Sequence, residues 1–203
     1  MNPSETLSRV CALLKEGGIG EAEATITREY PFVPVLPKTR TYTESQATRV
    51  FARDGFIDRY SGERLVFPGT LRLLSLYLPE AFPYHRNWKV SETHPAFWQL
   101  CATVDHVVPI TRGGTDAESN LVTTSMLRNS AKAHWLIEEL GWVLNPPGDR
   151  AEWDGLMSWF LTDVAAKPSF LRQPFIRRWR LAATQSAAGQ QCVAADAHEA
   201  ARR

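Results

Sequence analysis

The chain has 203 residues, of which 44% are hydrophobic, and its formal net charge is +1. That length suits one domain of moderate size, or one domain with extensions, and the apolar content is enough for a core. A charge so close to zero excludes the global positive field that many nucleic-acid binders carry, so any such surface must be a local patch.

Residues 5–16 place Leu7, Val10, Leu13 and Leu14 on a helical stripe, and Gly17-Gly18 ends that helix. A second helix is predicted over 20–29, and Pro31, Pro34 and Pro37 then force an extended connection. Thr43 followed by Gln46 reads as a capping box that opens a helix to Arg53, with Gly55 as its stop. Residues 56–67 carry Tyr60-Ser61-Gly62-Glu63 between apolar flanks and predict a hairpin. Residues 69–78 read as a buried helix, 80–93 as an ordered loop, and 95–100 as a short helix with Pro95 in its first turn. Thr123 or Thr124 is placed to cap a helix running to Leu140, before Gly141. After the break at Pro146-Pro147-Gly148, Asp149 caps an amphipathic helix that turns Trp153, Leu156, Met157, Phe160 and Leu161 inward. Pro174 opens a last helix to Ala183, and the Ala- and Gln-rich segment 184–203 is predicted to be disordered. No linker is long enough to separate domains.

Cys11, Cys101 and Cys192 lie far apart and form neither a C-x-x-C pair nor a disulfide framework, which fits a reducing cytosol. No apolar run reaches the roughly 18 residues that a membrane helix needs. The start, Met1-Asn2-Pro3-Ser4-Glu5, lacks a basic region followed by an apolar core. A soluble, cytoplasmic protein with no membrane partner is expected.

The chemistry concentrates in one stretch. A β-branched run, Thr103-Val104-Asp105-His106, is followed by Pro109, Gly113-Gly114, Asn120, Asn129 and Lys132. Asn120 lies 14 residues after His106, Asn129 a further 9 on, and Lys132 another 3. Asp105 is the hard oxygen ligand that Mg²⁺ prefers, and Asn129 adds a neutral carbonyl oxygen brought back by a helix. His106, largely neutral near pH 7, can take a proton from water. Adjacent residues on a strand point to opposite faces, so Asp105 and His106 serve one site only if the strand ends or bends there. Asn120 can bond backbone N–H and C=O together and hold the loop, and Gly113-Gly114 supplies left-handed backbone angles. Lys132 shares a helix face with Asn129 and could reach a phosphate oxygen, as could Arg112. Alternatively Lys132 is a solvated helix residue, and His106 taken alone would read as a structural histidine.

This arrangement closely resembles the HNH nuclease motif in its H-N-N variant. The pattern D-H-h-h-P-h-x-x-G-G-x-x-x-x-x-N, followed by N-x-x-K, fits residues 105–132 without a gap. The resemblance spans residues 53–132 and leaves the flanks unexplained. It implies a ββα-metal fold around one divalent ion, Mg²⁺ first and Mn²⁺ second. It further implies His106 as general base, Asp105 and Asn129 as metal ligands, and Asn120 as the residue that aims the histidine. The activity implied is hydrolysis of DNA phosphodiesters to 5′-phosphate and 3′-hydroxyl ends. Many such proteins hold a structural zinc with two C-x-x-C pairs. Here Asp58, Ser61, Ser125 and Arg128 stand at those positions, so structural zinc is not expected. In the family's layout the two pairs converge, and an Asp58–Arg128 salt bridge is expected in their place.

The fold class expected is α+β, a ββα-metal core embedded in a mostly helical single domain. Its parts are an N-terminal helical extension over 1–52, the nuclease core over 53–140, a C-terminal helical extension over 141–183 and the tail. Between 164 and 195 there is no acidic residue, and Arg177, Arg178 and Arg180 cluster on the last helix. They are either a solvated face around Trp179 or a phosphate-contacting patch. DNA is the expected partner. A homodimer and a nickase are both open, because a double-strand cut usually needs two such sites. The alternatives are RNA as substrate, and a non-catalytic nucleic-acid-binding protein that keeps the fold.

Overall fold

The computed structural model describes residues 2–34 and 42–186. The chain forms two compact units, Met1–Pro37 and Lys38–Arg203.

The first unit is a helical hairpin of α1 (Pro3–Lys15) and α2 (Ile19–Glu29). Asn2 caps α1 by accepting the Ser4 N–H at 3.1 Å, and Pro3 sits at the first helical position, where an N–H would have no partner. Gly17, at φ +80°, turns the chain. Thr6, Val10, Ala22 and Thr25 are buried, whereas Leu7 and Leu14 of the predicted stripe are exposed.

In the second unit, α3 (Glu44–Arg53) begins at the predicted cap, where Thr43 Oγ1 accepts the Gln46 N–H at 3.2 Å. The reciprocal half of the capping box is absent, because the Gln46 side chain reaches away to the Asp116 carbonyl at 3.0 Å. The hairpin predicted over 56–67 is reduced to a fold-back with one isolated bridge, Ile57 with Arg64, Leu65 N–H donating to the Phe56 carbonyl at 2.7 Å and Gly62 at φ +79° in the turn. Next come α4 (Pro68–Tyr77) and the short α5 (Ala96–Gln99). Then β1 (Ala102–His106) pairs antiparallel with β2 (Leu121–Ser125), in a register from Ala102↔Ser125 to His106↔Leu121. Helix α6 (Met126–Lys132) follows β2 without a break, so the order is strand, loop, strand, helix. Helix α7 (Met157–Ala166) and the helix over 174–186, here α8, complete the described chain. The coarse class is α+β, as expected: helices and a small two-stranded antiparallel sheet.

The predicted helix over 123–140 is corrected on both sides. Thr123 and Thr124 are β-branched and lie in β2, where their side chains are buried on a pleated surface. Ser125 is the true cap, accepting the Arg128 N–H at 3.2 Å, and Ala133 at φ +50° ends α6. The helix predicted from Asp149 is corrected as well. Gly155 at φ +66° and Leu156 at φ +61° hold the chain out of helix until Met157. Trp153, Met157, Phe160 and Leu161 face the core as expected, but Leu156 is exposed. The tail predicted to be disordered lies, from residue 187, outside the described residues, while 184–186 are still helical.

The largest apolar core joins chain segments that precede and follow the sheet in sequence. Val50 and Phe51 of α3, Leu121 of β2, Phe160 of α7 and Ile176 of α8 all belong to it. Trp179 stacks on Phe51, with ring centroids 6.2 Å apart, and meets Phe67 edge-on at 5.3 Å. Helices α3 and α8 are therefore part of the body that carries the sheet.

An exposed strand edge leaves unpaired backbone groups. In β2 that edge is closed by the segment after α3. Asp54 Oδ2 accepts the Thr123 N–H at 2.8 Å, and Asp58 Oδ2 accepts the Ser125 N–H at 2.9 Å. Arg59 N–H donates to the Thr123 carbonyl at 2.8 Å, and the Arg53 guanidinium to the Leu121 carbonyl at 2.6 Å. The buried Asp54 carboxylate is balanced by Arg53 and Arg59, each 2.9 Å from Oδ1. No helix among the described residues is long and apolar enough to cross a membrane.

Candidate active site

Asp105 sits in β1, only 2% exposed. Its Oδ2 accepts the Tyr60 hydroxyl at 2.7 Å and lies 2.9 Å from the Lys132 ammonium. Burial, and then the adjacent Asp105 carboxylate, push the Tyr60 phenol far above its usual range, so it stays a hydrogen-bond donor. Lys132 is wholly buried and also donates to the His106 carbonyl at 2.7 Å. Among the described residues no donor reaches Asp105 Oδ1.

Asn129 reaches the sheet from α6. Its Nδ2 donates to the Val104 carbonyl at 3.0 Å and to Thr103 Oγ1 at 3.3 Å. Thr103 and Asp105 are two apart on a strand and share a face. The amide is thus anchored by its nitrogen on the face that carries Asp105, and its Oδ1 meets no donor among the described residues. Asp105 and Asn129 present uncommitted hard oxygens, the donor type that suits Mg²⁺ or Mn²⁺. No group of three or more His, Cys, Asp or Glu able to hold a metal occurs among the described residues. A divalent ion held here would therefore draw its remaining ligands from water or phosphate.

His106 is the last residue of β1 and pairs with Leu121 as Asp105 pairs with Val122, so the pleat sends the two side chains to opposite faces of the strand. Their neighbours differ accordingly. His106 Nε2 lies 2.8 Å from Asp116 Oδ1, the Tyr42 ring is 6.4 Å away, and His106 is 2% exposed. An Nε2–H donating to the carboxylate leaves Nδ1 as the ring's accepting nitrogen.

Asn120 organises the loop as its chemistry predicts. Its Oδ1 accepts the Val108 N–H at 2.9 Å, and its Nδ2 donates to the Val108 and Thr115 carbonyls at 2.9 Å each. A Cβ on Gly114 would stand 1.8 Å from the Val108 carbonyl oxygen, and Gly113 adopts φ +92°. Helix α3 holds the same loop from outside. Gln46, Arg49 and Arg53 follow i, i+3, i+7 spacing and reach the Asp116 carbonyl, the Glu118 carboxylate and the Glu118 carbonyl.

Lys132 corrects its expectation. It neither contacts solvent nor is placed to touch a phosphate, but is sealed beneath Asp105 and His106. Arg112 pairs with Glu139, and Arg178 with Glu44 at 2.9 Å. Arg177 and Arg180 are exposed on α8. Asp58, Ser61, Ser125 and Arg128 are neighbours, as expected. Arg128 Nε lies 3.8 Å from Asp58 Oδ2, and Glu63 links Arg128 at 3.8 Å to Ser61 at 3.2 Å. The stronger bonds to Asp58, however, come from the Tyr60 N–H at 2.9 Å, the Thr124 hydroxyl at 3.1 Å and the Ser125 N–H.

Sequence reasoning missed Tyr60 and Asp116. Tyr60 lies 45 residues from its partner, and nothing in its neighbourhood marks it. Asp116 follows the Gly-Gly turn within the motif, where an acidic residue that can swing back to His106 was a readable signal.

Comparison with family models, with curated proteins and with solved structures returned no match for this chain.

Proposed function

We propose that the chain is a divalent-metal-dependent endonuclease of HNH type that hydrolyses DNA phosphodiester bonds. The observation that carries this reading is Asn129. Its amide nitrogen is tied to β1 on the face of Asp105, and both residues keep an oxygen uncommitted. Bound by those oxygens, Mg²⁺, or Mn²⁺ in its place, would offset charge on the scissile phosphate and the leaving oxygen. His106 accepts the proton of the attacking water at Nδ1. Asp116 holds the ring through Nε2, and Asn120 holds the loop that carries Asp116. Tyr60 and Lys132 fix the Asp105 carboxylate. Arg177 and Arg180 are candidates for phosphate contacts that position the duplex.

Supercoiled plasmid incubated with the full chain and Mg²⁺ or Mn²⁺ tests the reading, with an RNA substrate in parallel. Cleavage that disappears in chelator and in Asp105→Ala supports it. Intact plasmid under every metal condition overturns it. The 2% exposure of His106 favours a second reading, a non-catalytic nucleic-acid-binding protein with the same fold. That protein would shift duplex DNA in the presence of chelator and never cut it.

A further inference from the structure

Lys132 is the least expected group in the site. A lysine with no exposed surface, ion-paired to the carboxylate that would hold the metal, cancels the charge on which a divalent ion depends. We propose that Lys132 is a resident counter-cation that keeps the metal site weak in the free protein and makes divalent-ion binding depend on a phosphodiester. The inference rests on the nuclease reading and adds a regulation of that site.

The argument is one of charge and geometry. Oxygen sites set their affinity for hard cations largely by the number of anionic ligands and by rigidity. Here the ligands are one carboxylate and one neutral amide. The carboxylate already faces an ammonium 2.9 Å from Oδ2, with the Tyr60 hydroxyl on the same oxygen. A divalent ion arriving at Oδ1 therefore meets a site whose formal charge is zero, with a like charge fixed close by. Lys132 cannot readily swing aside. Its ammonium also bonds the His106 carbonyl at 2.7 Å and lies 5.9 Å from the Tyr60 ring centroid. The missing negative charge must come from outside, and a phosphate oxygen of the substrate supplies it. Metal and phosphodiester then bind with positive coupling, which linkage makes reciprocal. The free protein holds little metal, and the site assembles only on nucleic acid.

The test is Mn²⁺ titration of the full chain, read by the electron paramagnetic resonance signal of free Mn²⁺, with and without a short DNA duplex. The His106→Ala background prevents turnover. Duplex is expected to tighten Mn²⁺ by about 5–150-fold, the usual range of coupling between two sites. Lys132→Met and Lys132→Gln, which remove the charge, should bind Mn²⁺ tightly without duplex and lose most of that coupling, whereas Lys132→Arg should keep it. Equal Mn²⁺ affinity of parent and neutral variants without duplex overturns the inference and leaves the nuclease reading standing. If neither neutral variant folds, the parent decides by itself, and Mn²⁺ affinity unchanged by duplex overturns the proposal. A chain that takes up no Mn²⁺ in any arm overturns the metal site and the nuclease reading with it.

Discussion

Asn120 and Val108 exchange two hydrogen bonds across the loop after β1, N–H to Oδ1 and Nδ2 to carbonyl, each at 2.9 Å. With the bond to Thr115, one side chain closes a loop that contains Asp116, the partner of His106. Asn120→Ala should lower stability by about 1–3 kcal/mol, the net worth of three such bonds in a partly solvated loop. It should also reduce cleavage by loosening the histidine's support. Thermal unfolding and plasmid cleavage check both, and a variant that melts and cuts like the parent would show that the loop is held elsewhere.

Asp58 and Arg128 separate two contributions that a salt-bridge count would merge. Asp58 is wholly buried and accepts two backbone N–H groups and a hydroxyl, whereas Arg128 is 36% exposed and stands 3.8 Å away. Asp58→Ala should cost about 3–5 kcal/mol, because buried donors lose their acceptor. Arg128→Ala should cost no more than about 1 kcal/mol, as for an exposed pair. Chemical denaturation of both variants checks the ratio. Equal losses would mean that the ion pair, not the hydrogen bonds, holds Asp58 and the start of α6 together.

His106→Ala should remove the proton acceptor while leaving Asp105 and Asn129 in place. A loss of roughly 10²–10⁴ in cleavage rate is the scale for a positioned general base. Single-turnover cleavage at saturating Mg²⁺ measures it, with circular dichroism to verify the fold. Cleavage at the parental rate would reassign the base.

Cys101 is buried, and burial pushes its thiol up to about 12 from an ordinary value of 9.0. The thiolate is the reactive form. In the folded chain at pH 8, Cys101 should therefore resist a disulfide reagent that labels the exposed Cys11. Above the unfolded value the unfolded chain releases this proton and the folded chain keeps it. Stability should accordingly fall as pH rises from about 9 towards 12, by at most about 1.4 kcal/mol per pH unit from this group. Prompt labelling of Cys101 at pH 8 in the native state would contradict the burial.

Local chemistry made much of the chain legible. Thr43 announces a cap because its hydroxyl can serve the N–H three residues on, and Gly62 marks a turn because it tolerates a positive φ. The polar spacing from Asp105 to Lys132 anticipated a strand, a loop closed by Asn120, and a helix returning Asn129 to the first strand. These features depend on neighbours within a few residues or on a fixed motif length.

What only the tertiary structure decided is where side chains meet when sequence separation carries no information. The sequence marks Lys132 as a cation one helical turn after Asn129, and both sequence readings left it reachable by solvent or substrate. Packing of α6 against β1 instead buries it on Asp105, 27 residues earlier, and Tyr60 arrives at the same oxygen from 45 residues before it. The helices after β2 and around Asp149 failed for a related reason. A threonine cap at one end and Gly141 at the other suit a helix over 123–140, but pairing with β1 and the carboxylates of Asp54 and Asp58 satisfies the backbone of Thr123 and Ser125 as strand. Local preferences differ by fractions of a kcal/mol per residue, and a buried network of hydrogen bonds outweighs them.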